Sequence, residues 1–198
     1  MLPVYEYHIT FFREQYQQKL PMLAQIKYRN TDKKRIDELY ALIIEQSRHQ
    51  VFFDKYKVED TVDGRFDMIV LHVSIVMIRL QQLGEVKKSQ MLFDRLFLDM
   101  DRACREMGIG DLSVPRHVKR MMLAFNGRIQ SYKTLLEGDD ADGLKEFLIR
   151  NVYGGEQIIS DEELGAFITY IKSAYIHCLT LDTQHIMDTD NVFVDAPA

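Results

Sequence analysis

Side chains that could bind metals or move protons occur in this sequence, but their spacing does not suit that chemistry. A helical di-iron site needs Glu-x-x-His pairs, because a spacing of three sets both ligands on one metal. Glu45-Gln46-Ser47-Arg48-His49 offers a spacing of four, and offers it once. His72 lies in an apolar run and reads as a core histidine bonded to a neighbour rather than a ligand or base. Asp139-Asp140-Ala141-Asp142-Gly143 resembles a calcium loop. Setting Gly143 at its sixth position, however, puts Gly138 first and Ile149 last, where carboxylates are required. It reads instead as a solvated turn whose acids favour the next helix N-terminus. Cys104 and Cys178 sit far apart in helical patterns and read as reduced, buried thiols. The phosphate-loop, dinucleotide, nucleophile-elbow and Cys-x-x-Cys motifs are missing. Neither an enzyme nor a metal or cofactor site is therefore expected.

Binding chemistry is better represented. A helix beginning near Ser113 and Pro115 opens with Arg116, His117, Lys119 and Arg120, although the positive end of the helix dipole favours acids there. Internal pairing with Asp99, Asp101, Glu106 or Asp111 across the preceding turn is the simplest account. The alternative is an anionic partner: an acidic protein, lipid headgroups or RNA. Met91 and Leu98 fall opposite the core stripe of the preceding helix, and Leu123 falls opposite the core stripe of this one. They need either a sibling helix or a client helix to cover them. Gly127 shares the Arg116, Arg120 and Leu123 face, and a mid-helix Gly costs about 1 kcal/mol relative to Ala unless close helix packing offsets it.

The elements that position these residues are helices throughout. Few Pro and Gly interrupt long segments of period near 3.6, and no strand pattern competes with them. Expected helices run over Val4–Leu20, Asp32–Phe53 with Thr31 as N-cap, Arg65–Leu83, Val86–Met107, a stretch ending near Leu136, Leu144–Val152, and Asp161–Leu181. The last of these opens on a Ser160/Glu163 capping box. Met68–Ile78 is apolar almost all round. As helix it spans roughly 16 Å, too short for a hydrocarbon core of about 30 Å, so it reads as a central helix. The fold class is all-α, a single compact domain of about seven helices around residues 65–83. That domain ends near residue 181, and 182–198 is expected to be a mobile tail.

The net charge of −5 is unevenly placed: residues 138–198 hold twelve acids against three Lys and Arg, a balance of −9 that leaves +4 for the rest. This disfavours a DNA-coating role but leaves room for a local basic face. Met1–Thr10 has the character of neither a signal nor a transit peptide, so a cytoplasmic location is expected.

One ordered series of residues is more specific. Asp63-Gly64-Arg65-Phe66-Asp67 is followed by Leu92-Phe93-Asp94 and Asp99-Met100-Asp101-Arg102. Arg105-Glu106-Met107-Gly108-Ile109-Gly110-Asp111 comes next, then Lys119-Arg120-Met121 and Phe125-Asn126-Gly127-Arg128. The series resembles the ubiquinol-cytochrome c chaperone family over about residues 35–180. The resemblance implies an all-helical protein that binds newly made cytochrome b and supports assembly of the bc1 complex. Contact with the membrane surface, the ribosome or a small partner protein would accompany that role, at the cytoplasmic face of the inner membrane or its mitochondrial equivalent. Within the matched residues, Gly108 and Gly110 suit a sharp turn. Asp111 suits a cap for the next helix or a partner for Lys119. Arg65, Asp67, Asp94, Asp99 and Arg128 are expected to form a polar network that fixes helix order, with Met91, Leu98 and Leu123 as the client face and Arg116, Lys119 and Arg120 as a basic docking face. The alternative is a small helical enzyme or haem-handling protein of respiratory or quinone metabolism, with His72 or His117 as the competent group.

Overall fold

The computed structural model describes residues 22–156, 158–189 and 191–196, and the helix expected over Val4–Leu20 lies outside them. The chain divides into two units, Met1–Lys33 and Lys34–Ala198. Eight helices occur among the described residues: α1 (Met22–Ser47), α2 (Val51–Asp54), α3 (Val62–Gln82), α4 (Val86–Glu106), α5 (Val114–Glu137), α6 (Ala141–Asn151), α7 (Asp161–Thr180) and α8 (Thr183–Met187). None of them is long and apolar enough to cross a membrane.

The central helix is α3. Every residue from Phe66 to Ile78 is buried, His72 and Ser74 included, and α3 packs against α4, α5 and α7. Its apolar circumference, unusual for a helix at a protein surface, is what a helix enclosed on all sides requires. Leu39, Tyr40 and Ile43 of α1 add to the same core.

His72 belongs to that core. Its Nδ1 lies 2.7 Å from the Met68 carbonyl, an acceptor, so the proton sits on Nδ1. Nε2, 2.8 Å from Tyr170 Oη, is left to accept from the tyrosine. Tyr170 in turn accepts from Gln46 Nε2 at 2.9 Å, so one string of hydrogen bonds ties α1, α3 and α7 together. Burial holds the His72 pKa down at about 4, and the ring is neutral.

Local signals explain most boundaries. Thr61, Asp140 and Ser160 each accept a backbone N–H three residues on, and Ser160 with Glu163 completes the expected capping box. Ser160→Ala should lower stability by about 1 kcal/mol, read as a shifted denaturant midpoint at unchanged slope. Gly84 and Gly108 take positive φ of 76° and 79°. Each closes its helix with a paired bond pattern: Gly84 N–H donates to Gln81 and Glu85 N–H to Leu80, and Gly108 N–H donates to Arg105 and Ile109 N–H to Cys104.

Three expectations are revised. Thr31 is not an N-cap, because α1 runs through it from Met22. The intrinsic penalty of Thr or Asp inside a helix is only a few tenths of a kcal/mol, too little to break one. The same stretch does not continue to Phe53: α1 ends at Ser47, and α2 restarts at Val51, placing Phe52 in the core. Nor does packing stop at residue 181. Ile186, Met187, Val192 and Phe193 are buried in the common core, and the Phe193 ring meets His72 edge-on with centroids 5.4 Å apart.

Candidate functional site

The site begins where the chain enters α3. The α-carbon of Gly64 passes so close to the preceding loop that a β-carbon there would lie 2.0 Å from the Glu59 carbonyl oxygen. Gly64 therefore sets the angle at which α3 leaves this loop. One residue on, Arg65 turns outward to Asp60, its Nε 2.5 Å from the carboxylate. Asp67 turns inward, is 8 % exposed, and pairs with Arg128 of α5. Burial pushes the Asp67 carboxyl up to about 6, although Arg128 draws it down.

Above this pair opens a cleft of about 700 Å³. Its walls come from the start of α3 (Val62, Phe66), the end of α4 with its following loop (Met107, Ile109), α5 (His117, Arg120, Met121, Ala124) and the segment after α6 (Tyr153, Ile158). The rim is apolar and open, with Val62, Met107 and Ile158 each about half exposed. Arg120 Nη2 donates to His117 Nδ1 at 2.7 Å, which leaves the His117 proton on Nε2.

The described residues do not neutralise the cations at the start of α5. Among the described residues, Arg116, Lys119 and Arg120 have no carboxylate within 4.0 Å. Of the acids expected to serve them, Asp99, Asp101 and Asp111 are engaged elsewhere, and Glu106 makes no ion pair among the described residues. Arg105 takes Asp101 at 2.8 Å and Asp111 at 2.7 Å, and Asp99 accepts from Tyr40 Oη at 3.0 Å beside Arg95. The reason is proximity: Asp101 lies one turn before Arg105 on the same helix face, and Asp111 just past the α4 cap. Asp111 accordingly caps nothing, the first turn of α5 contains no acid, and Ser113 makes no side-chain cap bond.

The single polar network is replaced by separate pairs: Arg65 with Asp60, Asp67 with Arg128, and Asp99 with Tyr40 and Arg95, while Asp94 accepts from Gln90 one turn back. Among the described residues no ion pair or side-chain hydrogen bond links one of these groups to another. Gly108 has the left-handed backbone expected of it, but Gly110 does not. Gly127 is exposed, and a β-carbon there would meet nothing within 4 Å, so no sibling helix packs against it. Leu98 and Leu123 are 62 % and 51 % exposed, whereas Met91 is half-buried against the core.

Of the residues singled out from sequence, the cleft gathers Asp67, Cys104, His117, Arg120 and Arg128, and leaves Met91, Leu98, Leu123, Arg116 and Lys119 outside. It adds Val62, Met107, Ile109 and Ile158, which sequence reasoning did not place in a binding site. Their common signal is an apolar residue at a helix end or in a loop. Cys104 reaches the cleft and Cys178 lies in the core; both are buried free thiols, and burial raises both, Cys178 to about 12.

The chain is 24% identical over 156 residues to the ubiquinol-cytochrome-c reductase complex assembly factor 1 of Xenopus laevis, covering 78% of this chain and 77% of that protein. The crystal structure of the Cbp3 homolog from Brucella abortus superposes with a TM-score of 0.76 at 24% identity, over 88% of this chain and 97% of that one, which shows a shared fold. The model of the ubiquinol-cytochrome c chaperone family matches residues 54–193, a span that takes in every cleft wall and ends on the buried Phe193. On that match, the chain belongs to the ubiquinol-cytochrome c chaperone family.

Proposed function

We propose that this protein is a non-catalytic assembly chaperone of ubiquinol-cytochrome c reductase that holds newly made cytochrome b. The observation that carries this reading is the pairing of an open apolar cleft with unneutralised cations on one of its own helices. A chaperone for a polytopic membrane protein must cover apolar helices and work beside an anionic membrane surface. Half-exposed Val62, Met107 and Ile158 meet the first need, with Leu98 and Leu123 as outlying apolar contacts. Arg116, Lys119 and Arg120 meet the second, because cations near anionic lipid are each worth about 1 kcal/mol. A ribosome or a small acidic partner would be met by the same cationic face. His72, spent on Met68 and Tyr170 inside the core, offers no support to the enzymatic alternative.

Photo-crosslinkers placed at Met107, Ile158, Leu98 and Leu123, with Ser173 on the exposed face of α7 as control, test the reading in cells making cytochrome b. Cytochrome b should be captured from the first two positions above the control. Absence of cytochrome b from every folded variant would reject the chaperone reading, and capture from Leu98 or Leu123 alone would move the site out of the cleft.

A further inference from the structure

We infer that the cleft selects an apolar helical segment carrying an acidic side chain, which the cations of α5 receive; this rests on the chaperone reading and specifies its client's chemistry. The shape of the site decides against a small ligand. Pockets of about this volume hold small molecules only when they enclose most of the ligand surface. Here the rim is built of half-exposed Val62, Met107 and Ile158, so a bound small molecule would remain largely open to water. A helix laid along the opening covers the rim residues and is itself covered by them.

Charge is distributed unequally across the opening. Arg120 and His117 stand on the α5 wall, and Glu59 and Asp63 stand on the α3 side. The deeper cation, Arg128, is already matched by Asp67. Arg120 is different: its described contact is a hydrogen bond to a neutral imidazole, and it lacks a carboxylate within 4.0 Å. Closing an apolar helix over Arg120 strips water from a guanidinium, and a carboxylate on that helix replaces the lost hydration with a charge-assisted bond. A lysine at the same place would meet like charge on α5. The segment therefore lies with its acid toward α5, and any basic residue toward Glu59 and Asp63.

The test uses the full chain and three labelled amphipathic peptides of about five helical turns, identical except for Glu, Gln or Lys at the centre of the apolar face. The Glu peptide should bind about fivefold tighter than the Gln peptide, and tighter still than the Lys peptide, the size expected of a partly desolvated ion pair. Arg120→Glu should invert the order. Lys87→Glu, an equal change in net charge on the exposed start of α4, should leave it intact. Equal binding of the three peptides, or an order lost equally in both variants, would overturn the inference. So would the absence of peptide binding by folded protein that instead binds vesicles of anionic phospholipid. Any of those results alongside retained cytochrome b crosslinking would leave the chaperone reading standing.

Discussion

Arg128→Met should destabilise the protein by about 3–5 kcal/mol near pH 8, and by much less near pH 5. The argument turns on the buried Asp67. In the unfolded chain its carboxyl titrates at the ordinary 3.8; in the folded protein burial raises it to about 6, with Arg128 opposing the rise. Between those values the native state holds a proton that the unfolded state lacks, so this group's contribution to stability falls as pH rises from about 4 to about 6. Removing Arg128 raises the folded value further and leaves a buried carboxylate without a partner above it. Below it, Asp67 is protonated in both proteins and the difference closes. His72 works in the opposite direction, stabilising above its ordinary value and losing that contribution as pH falls toward about 4. It is common to both proteins and cancels in the comparison. Urea melts of wild type and variant across pH 5–8 would measure the gap. A gap independent of pH would mean that Arg128 acts through packing alone. The double variant Asp67→Leu/Arg128→Met removes both charges and should recover most of the loss.

Gly64→Ala should cost about 2–3 kcal/mol although it places the better helix former inside a helix. On propensity alone the change would stabilise by about 1 kcal/mol. The clash wins because the added carbon would sit 2.0 Å from the Glu59 carbonyl, a backbone atom that cannot rotate away. Relief requires the loop before α3 to shift, and that loop carries Glu59 and Thr61 on the cleft wall and leads directly into Val62. Peptide binding at the cleft should therefore weaken with stability. Gly127→Ala is the matched control: its new carbon meets open space, so it should be neutral or stabilise by up to about 1 kcal/mol. A stabilising Gly64→Ala would show that the loop yields freely and that Gly64 does not set the geometry of the site.

The helices were largely legible before the fold was known. Apolar periodicity located α3 to α7, and the sharp turn at Gly108 and the Ser160/Glu163 capping box were read correctly because such signals are local chemistry, complete within a few residues. Thr31 misled for the same reason: a cap residue offers a helix start, and a longer helix can pass through at small cost. The site was legible only in part. Asp67 and Arg128 were marked as members of one polar network, and they pair. Internal pairing of Arg120 was the simplest account and does not occur among the described residues, because Arg105 takes Asp101 and Asp111 through contacts that depend on the turn after α4.

By itself, the sequence determined an all-helical chain, the enclosure of α3, the family resemblance and a surplus of positive charge at the head of α5. Each follows from composition, period or order along one segment. Tertiary structure decided which half-apolar residues remain uncovered, which carboxylate meets which cation, and that Ile186, Met187, Val192 and Phe193 join the core. Those outcomes depend on which helix ends converge. Val62, Met107, Ile109 and Ile158 belong to no common stripe, and they become one surface only when α3, α4, α5 and the segment after α6 meet around the Asp67–Arg128 pair.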